Sequence, residues 1–369
     1  MKIAIMSLAD LNNYGDVFFP IVIKGELIKR LSDCQIDIIT NTIYDCGIYK
    51  TKAYCDVNMK EYDTIIMGGG ELISPYDDEA FCETYGSSYK GCPSDIAYAW
   101  LDIKNAFKVW FGVGAHPVLF DYPELVEHAL SKLDYLCVRG NISKKVLEKG
   151  FVNNNGDIRV MPDLGWLFPE YIDTGDRCSC AEKTEREYCV FQAIQDIDIE
   201  NNIEFISQTL LDFQKKRNVK VLLLPIMQTN KQWGERDVLE KIWLASRKEL
   251  DLVPFGLNVI QTGNIISGAK FFVGASLHGA VTSLAYGKPA VNIRSGINTK
   301  LQDLHASRFR STCFANSWEV LPGVLDRLCN ESEDATDIKY AAMYTEYMQY
   351  RLMKEFDGLA QRIKNYQGE

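Results

Sequence analysis

The sequence predicts an α/β protein with two doubly wound, Rossmann-like domains, and three observations support this fold class. The chain has 369 residues, and a chain of this length usually folds into two domains because a single hydrophobic core rarely grows so large. It opens with a strand at residues 2–7, a helix at 17–31 and a second strand at 34–40, which is the start of a parallel sheet. From residue 188 onward the strand and helix alternation begins again.

Each further element is predicted from a local pattern. Short apolar runs bounded by glycine or polar residues indicate strands, and apolar residues spaced three and four apart indicate helices. In the first half these patterns predict strands at 64–67, 108–113, 135–138 and 157–161, and helices at 95–106, 122–132 and up to 149. In the second half they predict strands at 188–192, 220–225, 257–260 and 290–293, and helices at 201–216, 237–248, 263–268, 277–286, 298–306, 317–329 and 340–366.

A change in composition suggests where the two domains join. Residues 172–187 are rich in charged side chains and have no apolar period, so they are the expected linker. The sequence therefore predicts an N-terminal domain over 1–174, a C-terminal domain over 175–345 and a separate C-terminal helix over 346–369.

Charge and composition exclude several classes of protein. The formal net charge of -10 argues against a general nucleic-acid binder, although it leaves room for a local basic pocket. No window approaches the ~18 apolar residues of a membrane span, and the first residues do not form a signal peptide. The eleven cysteines are expected to be reduced, and the one close pair, Cys178 and Cys180, lacks zinc spacing. We expect a cytoplasmic protein without a metal or cofactor.

Residues 271–293 are the stretch around which we expect the chemistry to be organised. An apolar run predicts a strand, the next three residues form a turn of small side chains, and a helix follows from residue 277. In parallel sheets, anions bind where such a strand ends and the helix begins. Ser276 is a candidate N-cap, Gly279 offers a backbone amide, and His278 in the first turn is placed to reach a bound anion. The alternative is that a neighbouring loop satisfies the histidine.

Two polar loops of the first half also follow predicted strands. Asn13 and Asp16 come after the first strand, either as helix caps or as residues that face a ligand. Gly69 and Gly70 belong to a run of three glycines, which allows the backbone to approach a ligand or another loop closely. Glu71 follows as a candidate acid or base.

Two further candidates lie at strand ends. His116 follows the strand at 108–113, where a hydrogen-bonded structural histidine is the main alternative to a ligand-binding one. Arg139 stands where a strand becomes a helix, a suitable position for clamping a carboxylate or phosphate. The alternative for Arg139 is a salt bridge to a neighbouring loop.

Several short motifs, found in order, resemble those of the polysaccharide pyruvyl transferase family. They are Asn13-Tyr14-Gly15-Asp16, Gly68-Gly69-Gly70, Val138-Arg139-Gly140 with Ser143, Pro162-Asp163, and Ser276-Leu277-His278-Gly279 with Ala285-Tyr286-Gly287-Lys288-Pro289. This resemblance implies two Rossmann-like domains that face each other across a cleft, as in GT-B glycosyltransferases. It also implies transfer of a pyruvyl or enolpyruvyl group from phosphoenolpyruvate to a sugar hydroxyl of a surface or exopolysaccharide precursor.

The resemblance also implies roles for individual residues. His278 takes the place of the catalytic histidine and Arg139 that of a donor-binding arginine. Many members have an arginine where this chain has Ser276, so Arg294 or Lys300 would supply the missing positive charge. The N-terminal half is then the acceptor side and the C-terminal half the donor side.

Two other functions remain open from the sequence. One is a GT-B-type glycosyltransferase that uses a nucleotide sugar, and the other is a non-catalytic sugar-binding relative. For the pyruvyl transferase, the expected partners are phosphoenolpyruvate and a lipid-linked or nucleotide-linked glycan. The enzyme would then work at the membrane periphery, where lipid-linked glycans are made, with no integral membrane segment.

Overall fold

The computed structural model describes residues 1–79, 92–150, 157–172, 186–227, 235–296, 298–306 and 314–368. These residues divide into two compact units. Unit 1 comprises Met1–Leu164 and Gln349–Glu369, and unit 2 comprises Gly165–Met348. The predicted domain boundary at 174, most of the predicted linker and the cysteine pair at 178 and 180 lie outside the described residues.

Unit 1 is built on a seven-stranded sheet in which all paired strands are parallel. In chain order the strands are β1 Lys2–Met6, β2 Gln35–Thr40, β3 Lys52–Ala53, β4 Thr64–Gly68, β5 Phe107–Val113, β6 Tyr135–Arg139 and β7 Arg159–Met161. Their order across the sheet is β3-β2-β1-β4-β5-β6-β7, so the direction of winding reverses between β1 and β4. Such a reversal is the topological switch point at which open α/β sheets bind ligands.

In the described residues of unit 1, the α-helices include α1 Tyr14–Arg30, α2 Pro123–Lys132 and α3 Asn141–Gly150, in addition to a C-terminal helix. Helix α1 begins three residues earlier than predicted because Asn13 caps it, accepting a hydrogen bond from the amide of Gly15. Pro20 lies inside this helix and has no N–H to donate to the carbonyl of Asp16. The Ser7 hydroxyl at the end of β1 donates to that carbonyl instead, at 3.2 Å. This contact of Ser7 ties α1 to the carboxyl end of β1.

Unit 2 is built on a six-stranded sheet, also parallel throughout. Its strands are β8 Tyr188–Gln192, β9 Lys220–Leu223, β10 Asp251–Leu252, β11 Phe272–Gly274, β12 Ala290–Ile293 and β13 Phe314–Ala315. Their order is β10-β9-β8-β11-β12-β13, which places the switch point between β8 and β11. The two doubly wound α/β sheets confirm the predicted fold class.

Within the part of unit 2 that the structure describes, the α-helices before the last one are α4 Ile197–Asn201, α5 Ile203–Arg217, α6 Glu235–Ala245, α7 Val259–Gly268, α8 Leu277–Ala285, α9 Thr299–Ala306 and α10 Leu321–Glu331. Helix α8 matches its prediction, and Gly287 beyond it adopts φ +70°, the left-handed conformation that suits a helix end. The strand predicted at 257–260 is wrong, since these residues enter helix α7. A capping box between Asn258 and Gln261 begins that helix.

The last helix, α11 Ala335–Gly368, is longer than predicted and contributes to both units. In unit 2, Thr345 donates a hydrogen bond to the carbonyl of Leu284 at 2.9 Å. In unit 1, Phe356 is fully buried, its ring centroid lies 4.8 Å from that of Phe111, and the Arg30 guanidinium covers it at 5.6 Å. The C-terminal part of α11 is therefore core structure of unit 1. In the part of the chain that the structure describes, no helix combines the length and apolar character that crossing a membrane requires.

Replacing Phe356 by alanine tests how strongly this last segment holds unit 1 together. The variant removes a fully buried ring, so we expect the free energy of unfolding to fall by about 3–5 kcal/mol in urea denaturation. The matched control is Tyr350→Ala on the same helix, where the side chain is 56% exposed and the expected change is within about 0.5 kcal/mol. Equal effects of the two variants would contradict the packing described here.

Candidate functional site

The switch point of unit 2 is occupied by the β11–α8 turn, defined as residues 274–276. Gln192 is the last residue of β8, and its fully buried side chain reaches this turn. The Gln192 Oε1 atom accepts hydrogen bonds from the backbone amides of Ala275 and Ser276, each at 2.8 Å. One uncharged oxygen thus fixes two successive amides of the turn.

A second buried carboxamide holds the carbonyl side of the same turn. The Nδ2 group of Asn292 in β12 donates to the carbonyls of Gly274 and Ser276, each at 2.9 Å. Because Nδ2 donates twice, Oδ1 is the acceptor, and it lies 2.8 Å from Nε2 of His305. His305 therefore bears its proton on Nε2 in this contact. Strands on both sides of β11 clamp the turn.

Two glycines permit this close packing. A Cβ atom on Gly274 would lie 2.4 Å from the backbone oxygen of Gln192 and 2.8 Å from its Oε1. A Cβ atom on Gly279 would lie 2.4 Å from the ring of Phe272 and 2.7 Å from Ile226 Cδ1. Real Cβ atoms do not approach other atoms so closely, so the turn and the first turn of α8 both require glycine at these positions.

Ser276 caps helix α8, and His278 lies in the first turn, as their positions in the sequence predict. The Ser276 Oγ atom accepts a hydrogen bond from the amide of Gly279 at 3.2 Å. The Gly279 amide is thereby engaged within the protein, while the hydroxyl hydrogen of Ser276 can still be donated to a ligand. The His278 side chain is half-buried, and its Nε2 atom is shielded from solvent.

The two cations proposed downstream occupy neighbouring positions in unit 2. Arg294 follows β12 directly, at the same carboxyl edge of the sheet as the β11–α8 turn, and its amide donates to the carbonyl of Ala315 at 3.0 Å. Lys300 lies in helix α9. Both side chains are half-buried.

Glu235, the first residue of α6, is a buried acid that the sequence did not single out. Its exposure is only 4%, and its Oε2 atom accepts a hydrogen bond from the amide of Ile226 at 2.5 Å. The Met227 amide and the Gln192 carboxamide also favour the charged form, but burial outweighs them and raises the pKa of Glu235 to about 8. This carboxyl is largely protonated at neutral pH.

Arg139 belongs to unit 1, where it forms a buried ion pair. Its Nη1 atom lies 2.9 Å from Oδ2 of Asp163, and the two side chains are 7% and 3% exposed. The salt-bridge alternative stated for this arginine is therefore the contact that is observed. Removing one partner from such a pair leaves a buried charge and is costly.

The other unit 1 candidates gather around the glycine run at the end of β4. A Cβ atom on Gly70 would lie 3.1 Å from Oδ1 of Asp16, and one on Gly114 would lie 3.1 Å from Nη2 of Arg139 and 3.5 Å from the Cα of Glu71. The carboxyl ends of β1, β4, β5 and β6 thus meet at the switch point of this sheet. Gly69, with φ +72°, packs directly on the ring of Phe19, which supports the packing interpretation of that glycine.

Asn13 and His116 both act as caps. Asn13 caps α1, and the Nδ1 atom of His116 accepts from the amide of Val118 at 3.2 Å, which begins a short 3₁₀ turn. The exposed imidazole of His116 is therefore hydrogen-bonded locally. Asp10, which follows β1, was not predicted; burial raises its pKa to about 6, although the amide and hydroxyl of Thr42 both donate to it.

The structure thus places the candidates at two sheet edges. In unit 2 it brings Ser276, His278 and Gly279 together with Gln192 and Asn292. In unit 1 it gathers residues around Arg139, and these are Asp16, Gly70, Glu71, Gly114 and Asp163. The convergence of Arg139 and His278 on one anion stays a prediction, because the two residues belong to different units.

Most of the sequence matches the model of a known protein family. A family model described as "Polysaccharide pyruvyl transferase" matches residues 13–296, which include every candidate above except Lys300 and Asp10. Curated proteins offer no significant match to this chain.

Solved structures with a similar fold include a glycosyltransferase, a UDP-GlcNAc 2-epimerase and a protein solved with UDP. An S. aureus MnaA co-structure with UDP is 12% identical, with a TM-score of 0.59, and the match covers 95% of this chain and 97% of that one. A glycosyltransferase from Rickettsia africae ESF-5 is 11% identical, with a TM-score of 0.56 and 98% coverage of both chains. A UDP-GlcNAc 2-epimerase from Neisseria meningitidis bound to UDP-GlcNAc is 10% identical, with a TM-score of 0.55 and coverage of 93% and 94%. These similarities establish a GT-B-like fold.

Substituting Gly274 by alanine tests the close approach of Gln192 to the turn. The added methyl group would overlap the Gln192 backbone oxygen, so we expect unfolding to become easier by about 1–3 kcal/mol. The control is Gly323→Ala in helix α10, where the added Cβ meets open space and stability should rise by about 0.5–1 kcal/mol. Thermal and urea unfolding of both variants provide the measurement, and a neutral Gly274→Ala would contradict the clamp.

Replacing Arg139 by methionine tests the buried ion pair of unit 1. Asp163 then loses its cation inside the protein, and we expect the free energy of unfolding to fall by about 3–5 kcal/mol. Arg159→Met on the neighbouring strand is the control, because its pair with Glu355 is half-exposed at 41% and 18% and should contribute about 0–1 kcal/mol. Denaturation curves that do not differ between these variants would show that Arg139 has no structural role.

Proposed function

This chain belongs to the polysaccharide pyruvyl transferase family, and from that membership we propose that it transfers a pyruvyl or enolpyruvyl group from phosphoenolpyruvate to a sugar hydroxyl. The acceptor we propose is a lipid-linked or nucleotide-linked precursor of a surface polysaccharide. The observation that supports this proposal best is the clamped β11–α8 turn. It lies at the switch point of its sheet, and a histidine stands in the first turn of the helix that follows.

The turn offers an anion specific groups. Ser276 retains a hydroxyl hydrogen to donate, the first amides of α8 point toward its N-terminus, and the helix dipole favours negative charge there. Phosphoenolpyruvate has about three negative charges, so cations are also needed. In this proposal Arg294, at the same sheet edge, supplies one of them, and Lys300 is the second candidate.

The chemistry requires a proton donor. In the proposed reaction the methylene carbon of phosphoenolpyruvate takes a proton, which leaves an oxocarbenium-like C2. A sugar hydroxyl oxygen adds to C2 and loses its proton, and phosphate departs with the electron pair of its bond to C2. A second sugar hydroxyl then closes the ketal, or loss of a methyl proton gives the enolpyruvyl ether. His278 is the proposed acid, since an imidazole titrates near neutral pH.

Arg139 has a different part in this proposal. Its guanidinium is buried against Asp163, so we propose that it organises the carboxyl edge of the unit 1 sheet. Contact of Arg139 with the donor, the role implied by the family resemblance, would require its remaining nitrogen atoms to reach the ligand.

A second candidate function is glycosyl transfer from a nucleotide sugar. The observation that favours it is the fold similarity to proteins solved with UDP or UDP-GlcNAc. Isothermal titration separates the two functions. Binding of phosphoenolpyruvate but not of UDP-sugars supports pyruvyl transfer, and the reverse result supports glycosyl transfer. If neither ligand binds, the non-catalytic sugar-binding alternative gains support.

His278→Ala tests the proposed acid. We expect release of inorganic phosphate from phosphoenolpyruvate, with a glycan acceptor present, to slow by about 10²–10⁴-fold. His128→Ala is the control, because that histidine is a half-exposed surface residue of unit 1 paired with Asp102. Phosphate release at the normal rate in His278→Ala would remove this residue from the mechanism.

A further inference from the structure

Unit 2 contains a continuous line of contacts from a buried acid to the β11–α8 turn. The Glu235 carboxyl accepts from the amide of Ile226, and the Ile226 side chain packs against Gly279 in the first turn of α8. Gln192 lies between the acid and the turn. Its Oε1 accepts hydrogen bonds from the turn amides. Its buried Nε2 favours the ionised form of the Glu235 carboxyl, although among the described residues Nε2 makes no direct hydrogen bond.

We propose that Gln192 and Glu235 are positioning residues for the anion site at the β11–α8 turn, and that this site binds an anion best while Glu235 is neutral. Gln192 holds the turn amides, and Glu235 determines the charge behind them. This inference rests on the proposed function, because it takes the turn as the place where the phosphate or carboxylate of the donor binds. Neither residue touches the donor in this proposal.

The electrostatic argument concerns the charge state of one carboxyl group. When Glu235 is protonated, the described groups that hold the turn are the two carboxamides and the Ser276 hydroxyl, and none of them carries a charge that opposes an incoming anion. When Glu235 is ionised, a buried negative charge stands close to the anion, in surroundings where charges are weakly screened. By linkage, a bound anion raises the pKa of Glu235, so binding near pH 8 takes up a proton.

Among the residues that the structure describes, the groups on other elements that interact with the Glu235 carboxyl are uncharged. They are the Gln192 carboxamide of β8 and the backbone amides of Ile226 and Met227, which follow β9. On its own helix, the neighbouring Arg236 bonds to Glu240 and covers the ring of Phe255 at 4.9 Å instead.

Two further titratable side chains of unit 2 must be distinguished from Glu235. They are His278 on α8 and His305, which contacts Asn292. Glu235→Gln removes the Glu235 carboxyl and leaves both imidazoles in place, so a comparison of this variant with the wild type isolates the contribution of Glu235.

Stability gives one independent readout. The raised pKa means that folding favours the protonated carboxyl. The stabilising contribution of this group is therefore complete below the ordinary pKa of 4.5, falls as pH rises from there to about 8, and changes little at higher pH. Glu235→Gln keeps the shape of the neutral acid without its charge. We expect the wild-type protein to lose more thermal stability than Glu235→Gln between about pH 5 and pH 8, with little further difference between the two proteins above about pH 9.

Sulfate binding is the direct test, since sulfate remains a dianion across this pH range. Titration calorimetry from pH 7.5 to 9.5, in two buffers of different ionisation enthalpy, measures both the affinity and the protons taken up. We expect wild-type affinity to fall by about tenfold across this range with proton uptake near pH 8, and Glu235→Gln to show neither effect. Gln192→Ala should weaken sulfate binding at every pH.

The control variant is Asp10→Asn, which alters a half-buried acid of unit 1 and should retain the wild-type pH dependence of sulfate affinity. Where turnover is measured, the wild-type KM for phosphoenolpyruvate should rise above pH 8 more than kcat changes, and Glu235→Gln should flatten that rise. The same pH dependence in wild type and Glu235→Gln, or no sulfate binding to the wild type, would overturn the inference. The expected sulfate result together with no reaction of phosphoenolpyruvate would refute the proposed function alone.

Discussion

The interaction on which the unit 2 site depends is the clamp that two buried carboxamides place on the β11–α8 turn. Gln192 accepts hydrogen bonds from two backbone amides of the turn, and Asn292 donates to two of its carbonyls. These four hydrogen bonds of 2.8–2.9 Å fix the residues that lead into α8. Carboxamides suit this position because they both donate and accept without charge. A carboxylate in place of Gln192 would hold the same amides but would cancel the positive field of the helix N-terminus.

The two sheets use their switch points in different ways. In unit 1 the edge is organised by a charged pair, Arg139 and Asp163, which neutralise each other inside the protein. Glycines allow the neighbouring loops to close around that pair. In unit 2 the clamp is neutral, and the field that remains belongs to the helix end. The unit 1 edge therefore holds backbone segments in place, and the unit 2 edge is where we propose that an anion binds.

Much of this architecture could be predicted because its signals are local. The strand, turn and helix around Ser276 follow from an apolar run, an N-cap and a final glycine, all within twenty residues. Gln192, Asn292 and Glu235 were missed because they approach the turn from other strands or helices, and a single sequence does not reveal such pairing. Asn292 did offer a signal, as a polar residue inside a short apolar strand. The capping box of Asn258 and Gln261 is also a local signal, and in the folded protein it outweighs the apolar run that predicts a strand at 257–260.

A serine at position 276 affects both the capping of α8 and the positive charge available at the site. Its hydroxyl oxygen accepts a hydrogen bond from the Gly279 amide and so caps the helix. An arginine could not make this contact, because a guanidinium has no acceptor atom. A chain with serine here gains an ordered helix start and loses a positive charge where the family resemblance implies an arginine. In the proposed pyruvyl transfer that charge must come from another segment at the same sheet edge. Arg294 is well placed to supply this charge, because it directly follows β12 and its backbone amide is hydrogen-bonded to the carbonyl of Ala315 in β13.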